Sequence, residues 1–255
     1  MTQDELLSKS AGVLIKTTLV DFPGKVAASY FLRGCNLRCP YCYNVELIKS
    51  DSVLKNLSAE KNSDFKSPVE VLEHLYKRKN VLEGFVISGG EPLLNPATPL
   101  LIKEAKKMGY KIKLDTNGTL PLMLESLILN SDTRPDFIAV DIKTSPEKYK
   151  TKIPVITQFE NTDIKALLEQ SVNLIKRLGS ENYEVRTVLV PSLVEKDDIK
   201  NIAAIIPHDA SWQFAQFRNE NCLNPEYNKI TPYTDTKLNE LTEYARSFIP
   251  GASLR

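Results

Sequence analysis

Seven short segments, at residues 13–19, 26–32, 84–88, 111–115, 137–142, 183–190 and 211–217, are apolar or alternating and rich in Val, Ile, Phe and Tyr. Stretches of helical period separate most of them. This alternation constrains the fold more than any other feature, because strand–helix repeats imply parallel strands joined by right-handed crossovers. About six such units predict an α/β fold: a partial (open) β/α barrel with about six parallel strands, with the doubly wound sheet as the alternative. The helices carry readable ends. Ser67-Pro68-Val69-Glu70 is a capping box with Pro at N1. Thr98-Pro99 opens a helix that Gly109 stops, and residues 121–130, 163–178, 195–205 and 234–248 complete the set. The apolar faces are expected to carry Val71, Leu72, Leu75 and Tyr76 in the first of these, and Leu101, Ala105 and Met108 in the second.

In a barrel, reactive groups collect at the C-terminal ends of the strands. Four unusual constellations stand there. Residues 33–44, RGCNLRCPYCYN, follow the second segment and hold Cys35, Cys39 and Cys42. Gly89-Gly90-Glu91-Pro92 follows the third, Asp115-Thr116-Asn117-Gly118 closes the fourth, and Asp141 and Lys143 end the fifth. Thiolates at this spacing suit zinc or an iron–sulfur cluster, but three are one short of a closed tetrahedral site. The two histidines, His74 and His208, read as surface or capping residues. The glycine pair lets backbone approach a ligand closely, and also reads as a plain turn. Asn117-Gly118 is likewise a turn signal. Asp141 and Lys143, two apart on a strand, share one side, where an internal ion pair is the simple alternative.

Composition narrows the function classes. The chain has 255 residues, enough for a single domain over residues 1–255 with a substantial core. Its net charge of +1 gives no broad electrostatic case for nucleic acid or an anionic membrane. The N-terminus carries Asp4 and Glu5 where a signal peptide would be basic, and no apolar run reaches membrane-spanning length. A cytoplasmic protein is expected. Four cysteines, three of them clustered, fit metal or redox chemistry better than a disulfide framework.

With C-x3-C-x-aromatic-C followed by a GGEP turn, the chain resembles the radical S-adenosylmethionine (SAM) enzymes. The segments TTLVDFPGKVA (17–27) and QFAQFRNENCLNPEY near the end make it similar to the glycyl-radical-enzyme activases, in particular those serving anaerobic ribonucleoside-triphosphate reductase. The resemblance covers most of the chain. It implies a 4Fe–4S cluster on Cys35, Cys39 and Cys42, whose fourth iron takes the amino and carboxylate groups of SAM. Reductive cleavage of SAM then gives a 5′-deoxyadenosyl radical that abstracts hydrogen from a glycine of the partner enzyme. It further implies that Tyr41, Cys42 and Tyr43 line the adenine side and that Gly89, Gly90 and Glu91 meet the methionyl amino group. Asp115, Thr116 and Asn117 are placed near the methionyl carboxylate or ribose. Asp141 and Lys143 are further pocket candidates, with Arg186 and Gln216 behind them. An electron donor such as flavodoxin or ferredoxin is implied. Many activases have His where this chain has Tyr43, a departure that bears on which reductase is served.

Only Cys222 remains outside the cluster, too few thiols for a second one. It reads as a packed thiol, with a redox role or a fourth ligand as alternatives. Two other functions compete. One is a radical SAM enzyme acting on a small molecule, such as a 7-carboxy-7-deazaguanine synthase-like reaction. The other is a zinc-stabilised interaction module built on all four cysteines, which leaves the glycine turn and the strand-end carboxylates unexplained.

Overall fold

The computed structural model describes residues 11–48, 65–155 and 163–255. The described residues of Met1–Cys35, Glu46–Thr116 and Met123–Phe137 form one unit, and those of Asn36–Val45, Asn117–Leu122 and Ile138–Arg255 form another.

In the first unit the strands run in the order β3 (Phe65–Lys66), β1 (Gly12–Thr18), β2 (Ala27–Leu32), β4 (Gly84–Gly89), β5 (Lys111–Thr116). β2, β4 and β5 are parallel, whereas β1 is antiparallel to both β2 and β3. The first segment read from the sequence is thus a strand of the opposite sense. No helix separates it from β2, and a short connection can join only antiparallel neighbours. β2 is buried at five of six positions, the near-continuous apolar run of a strand covered on both faces. Below it Phe22, Ala27 and Val86 pack with Phe137. The four-residue α1 (Val45–Ile48) follows the cysteine segment. α2 (Pro68–Arg78) begins at the capping box, with both reciprocal bonds between Ser67 and Glu70 formed. Val71 and Leu75 face inward, but Tyr76 is exposed, with Lys79 Nζ 4.7 Å from its ring centroid. α3 (Thr98–Lys107) ends before Gly109, whose φ of +93° is the left-handed stop expected of it.

The second unit holds β6 (Phe137–Asp141), β7 (Tyr183–Leu189), β8 (Trp212–Gln216) and β9 (Ala252–Leu254), all parallel and paired in that order. β9 escaped the sequence reading because three residues carry too little periodicity. α4 (Pro121–Leu129) lies between β5 and β6 in the chain. α5 (Pro146–Lys152), also missed, is short and lysine-rich, with only Pro146 and Tyr149 buried. α6 (Ile164–Lys176), α7 (Lys196–Ala203) and α8 (Asp235–Arg246) start at the N-caps Asp163, Glu195 and Thr234. Trp212 and Phe214 pack ring to ring at 4.6 Å, and Trp212 Nε1 donates to Thr187 Oγ1 at 3.0 Å. Among the described residues no helix is long and apolar enough to cross a membrane.

Candidate active site

The parallel register of β2 and β4 runs out at Leu32 and Gly89, so the two chains leave their strands side by side. Gly90 N donates to Leu32 O at 2.9 Å, and Glu91 N donates to Gly34 O at 2.8 Å. A Cβ on Gly90 would stand 2.0 Å from Gly34 O and 3.1 Å from Cys35 Cβ. Gly89, at φ +124°, would place a Cβ 2.3 Å from Leu32 backbone atoms. These glycines are what let the turn press against the entrance of the cysteine loop. Glu91 is fully buried, and its Oε1 accepts from Leu93 N (3.0 Å) and Thr116 Oγ1 (2.8 Å). Its carboxylate thereby ties the end of β4 to the end of β5. Asp115 Oδ1 accepts from Lys113 Nζ at 2.6 Å, with the lysine side chain only 1% exposed. Sequence reasoning passed over Lys113. Its signal was a charge two residues before Asp115 on an otherwise apolar strand, hence on the same face.

In the second unit, Asn36 Nδ2 donates to Thr119 Oγ1 (2.7 Å), Thr119 Oγ1 to Asn117 Oδ1 (2.6 Å), and Asn117 Nδ2 to Asn36 Oδ1 (2.8 Å). This buried ring uses Asn117 to fix the residue that directly follows Cys35. Cys42 N closes a turn on Cys39 O at 3.0 Å. Tyr41, between those cysteines, is buried edge-on to Phe217, with ring centroids 6.4 Å apart. Burial, then the neighbouring Cys39, Tyr149, Asp141 and Cys42, push its phenol well above the usual range. Its hydroxyl has no hydrogen-bond partner among the described residues.

Arg186 grips Asp141 through Nε to Oδ1 (2.7 Å) and Nη2 to Oδ2 (3.1 Å), and Lys143 Nζ stands 3.1 Å from Asp141 Oδ2. Burial works to raise the Asp141 pKa, but Arg186 and then Lys143 overcome it and hold the carboxyl well below the usual carboxylate range. Lys143 is held above the ordinary lysine range. Burial opposes this, and the charges of Asp141 and Cys39 outweigh it. The Cys42 thiol is pushed up by burial, tempered by the Asn44 amide, Lys143 and Arg38. Tyr149 lies in the same cluster and accepts from Lys143 N at 2.8 Å. Cys39, Tyr41, Cys42, Asp141, Lys143 and Arg186 therefore share one electrostatic neighbourhood. Tyr43 is 64% exposed, and the Gln216 amide is spent on Tyr233 O.

None of the four cysteines is in a disulfide, and Cys35 and Cys42 are partly exposed. Among the described residues no three His, Cys, Asp or Glu side chains close on one metal ion. Thiolates that each hold a separate iron of a cluster need not converge on one point. In the first unit the glycine cradle beside Cys35, and in the second the thiols of Cys39 and Cys42 with the orphaned Tyr41 hydroxyl, each fit a cluster with an organic ligand seated against it.

A model of the radical SAM superfamily matches residues 29–205, and the chain belongs to that superfamily. Its members are enzymes that use a 4Fe–4S cluster and SAM. Three relatives sharpen the comparison. A protein of Methanocaldococcus jannaschii named "Putative glycyl-radical enzyme activating enzyme" is 28% identical over 243 residues, covering 95% of this chain and 94% of its own length. The pyruvate formate-lyase-activating enzyme of Clostridium pasteurianum is 28% identical over 87% of this chain and 81% of its own. A 7-carboxy-7-deazaguanine synthase of Methanopyrus kandleri is 30% identical, over 48% of this chain and 51% of its own. In fold, the chain is similar to TYW1 with a lysine-pyruvate adduct bound, at a TM-score of 0.57 and 14% identity over 88% of this chain and 74% of that one. The α/β class read from the sequence is borne out.

Proposed function

We propose that this chain is an activase that installs a glycyl radical on a partner enzyme, acting as one domain over its whole length. The observation that carries this reading is coverage. The activating enzymes match the chain almost end to end, whereas the deazaguanine synthase matches about half of it. When bound, the cluster and SAM together supply a 5′-deoxyadenosyl radical.

The chain's own residues hold and orient that pair. Cys35, Cys39 and Cys42 each take an iron. Tyr41 and the backbone at Cys42 and Tyr43 form the adenine side, where the buried Tyr41 ring excludes water. The backbone of Gly89 and Gly90 reaches the methionyl ammonium, and the Glu91 carboxylate holds that turn in place through Thr116. Asp115 and Lys143 present charge to the polar end of SAM, and Asn117 acts through Asn36. Asp141, fixed by Arg186, holds Lys143 in position. The partner is proposed to be an anaerobic ribonucleoside-triphosphate reductase, the electron donor a flavodoxin or ferredoxin, and the compartment the cytoplasm.

The test is anaerobic reconstitution with iron and sulfide, then dithionite, SAM and a candidate partner. Expected are about four irons per chain, 5′-deoxyadenosine, and a glycyl doublet by electron paramagnetic resonance. 5′-Deoxyadenosine formed without a doublet on any glycyl-radical enzyme would shift the reading to a small-molecule substrate. A doublet on pyruvate formate-lyase but not on the reductase would move only the partner.

A further inference from the structure

The segment after β8, residues 217–229, has no task in the reaction proposed above. Its conspicuous residue is Cys222, yet the thiol is not what reaches the cysteine loop, since Cys222 Sγ lies 3.8 Å from Arg218 O. The amides of the next two residues do so. Leu223 N donates to Cys42 O and Asn224 N donates to Pro40 O, both at 2.9 Å. Phe217 adds the edge contact with Tyr41.

The segment is itself braced from behind. A 3-10 turn covers Pro225–Lys229, capped by Asn224 Oδ1 accepting from Glu226 N at 3.1 Å. Asn228 Oδ1 accepts from Cys222 N at 2.9 Å, and Asn228 O accepts from Asn219 Nδ2 at 3.3 Å. Asn221, at φ +54°, makes the bend between them.

We propose that residues 217–228 are a clamp that sets the curvature of the cysteine loop, and that Asn228 is a positioning residue acting through the backbone of 222–224. This rests on the reading of Cys39 and Cys42 as iron ligands. The direction in which two thiols three residues apart point is set by the peptide planes between them. One of those planes, at the Pro40 carbonyl, and the plane that directly follows Cys42 are pinned by the clamp. A ligand shell holds its metal only as well as its supporting shell holds the ligands.

The experiment uses the full chain with Asn228→Leu, which removes the acceptor, Asn228→Asp, which keeps it, Cys222→Ala, which removes only the thiol, and Leu223→Pro, which removes a donor. The first readout is iron release to a chelator from reconstituted protein. Asn228→Leu is expected to release iron about fivefold faster or more, and Asn228→Asp and Cys222→Ala within about twofold of the parent, given what one partly buried hydrogen bond contributes. Leu223→Pro is expected to retain no cluster. The second readout is amide exchange over residues 37–43 in cluster-free protein, which Asn228→Leu should speed while the melting temperature barely moves. Parent-like release and exchange in both Asn228→Leu and Leu223→Pro would overturn the clamp. So would Asn228→Asp failing as Asn228→Leu does, or Cys222→Ala emptying the site, since the last would make the thiol a ligand. If the parent takes up no iron, the cluster reading fails by itself, and the exchange measurement still decides the clamp.

Discussion

Gly90 shows how much one missing methyl group can matter. Gly90→Ala would drive a Cβ to 2.0 Å from Gly34 O, a backbone atom that cannot step aside as a side-chain tip can. The expected cost is at least about 2 kcal/mol, a fall of several degrees in melting temperature, with cluster content reduced further because Cys35 must move too. Differential scanning calorimetry and iron analysis check this. Asp141 is the electrostatic counterpart. Its depressed pKa contributes stability that is present above the unfolded value near about 4 and lost only as pH falls through the lower folded value. The difference between parent and Asp141→Asn should therefore be flat from pH 5 to 9 and close only in strong acid. The Asp141 side chain is 25% exposed and that of Arg186 20%, so partial hydration keeps the loss near about 3 kcal/mol, the low end for a broken buried pair. Urea titrations at several pH values would show it. At this scale the sequence named Gly90 and Asp141 correctly as unusual, but nothing in it tied Arg186 to Asp141. A bidentate pair between β6 and β7 forms only once the register sets Asp141 opposite Arg186.

Helix ends were the most legible elements, because a cap is a local hydrogen-bonding problem solved by residues three apart. Ser67 and Glu70 satisfy each other's amides at the start of α2, and Ser67→Ala should cost about 1 kcal/mol, read as a shift in urea midpoint at unchanged slope. The elements that were misread share a cause. β1 carries a strand's alternation, but alternation says nothing about direction, which the short link to β2 decides. β9 is three residues long, and its existence depends on the open edge of β8 beside it. Tyr76 stands four residues after Leu72 and still faces water, because the stripe that α2 buries, through Val71 and Leu75, is narrower than its apolar residues suggest.

For the whole molecule, the cysteines are not what holds the chain together. Its fully buried side chains include Phe85, Val86 and Ile87 in the first unit and Trp212 and Phe214 in the second, none of them a group that needs iron to stay buried. Stripping the iron should leave far-UV circular dichroism and a cooperative thermal transition in place, unlike zinc-dependent modules that unfold without metal. A cluster-free chain lacking that transition would contradict this. The sequence by itself determined the α/β class, the helix boundaries, and the superfamily chemistry of three spaced cysteines and a glycine turn. Each is a local pattern, set by side-chain period, cap geometry or the short reach of a loop. Only the tertiary structure decided which polar groups act on one another. It gave the Glu91 carboxylate to Thr116, Asn117 to Asn36, Asp141 to Arg186, and the amides beyond Cys222 to the cysteine loop. Those pairings join residues through strand register and chain crossovers. A one-residue change of register would turn a strand side chain such as Asp141 to the opposite face, so these pairings follow from how strands pair and loops cross and not from what any one segment contains.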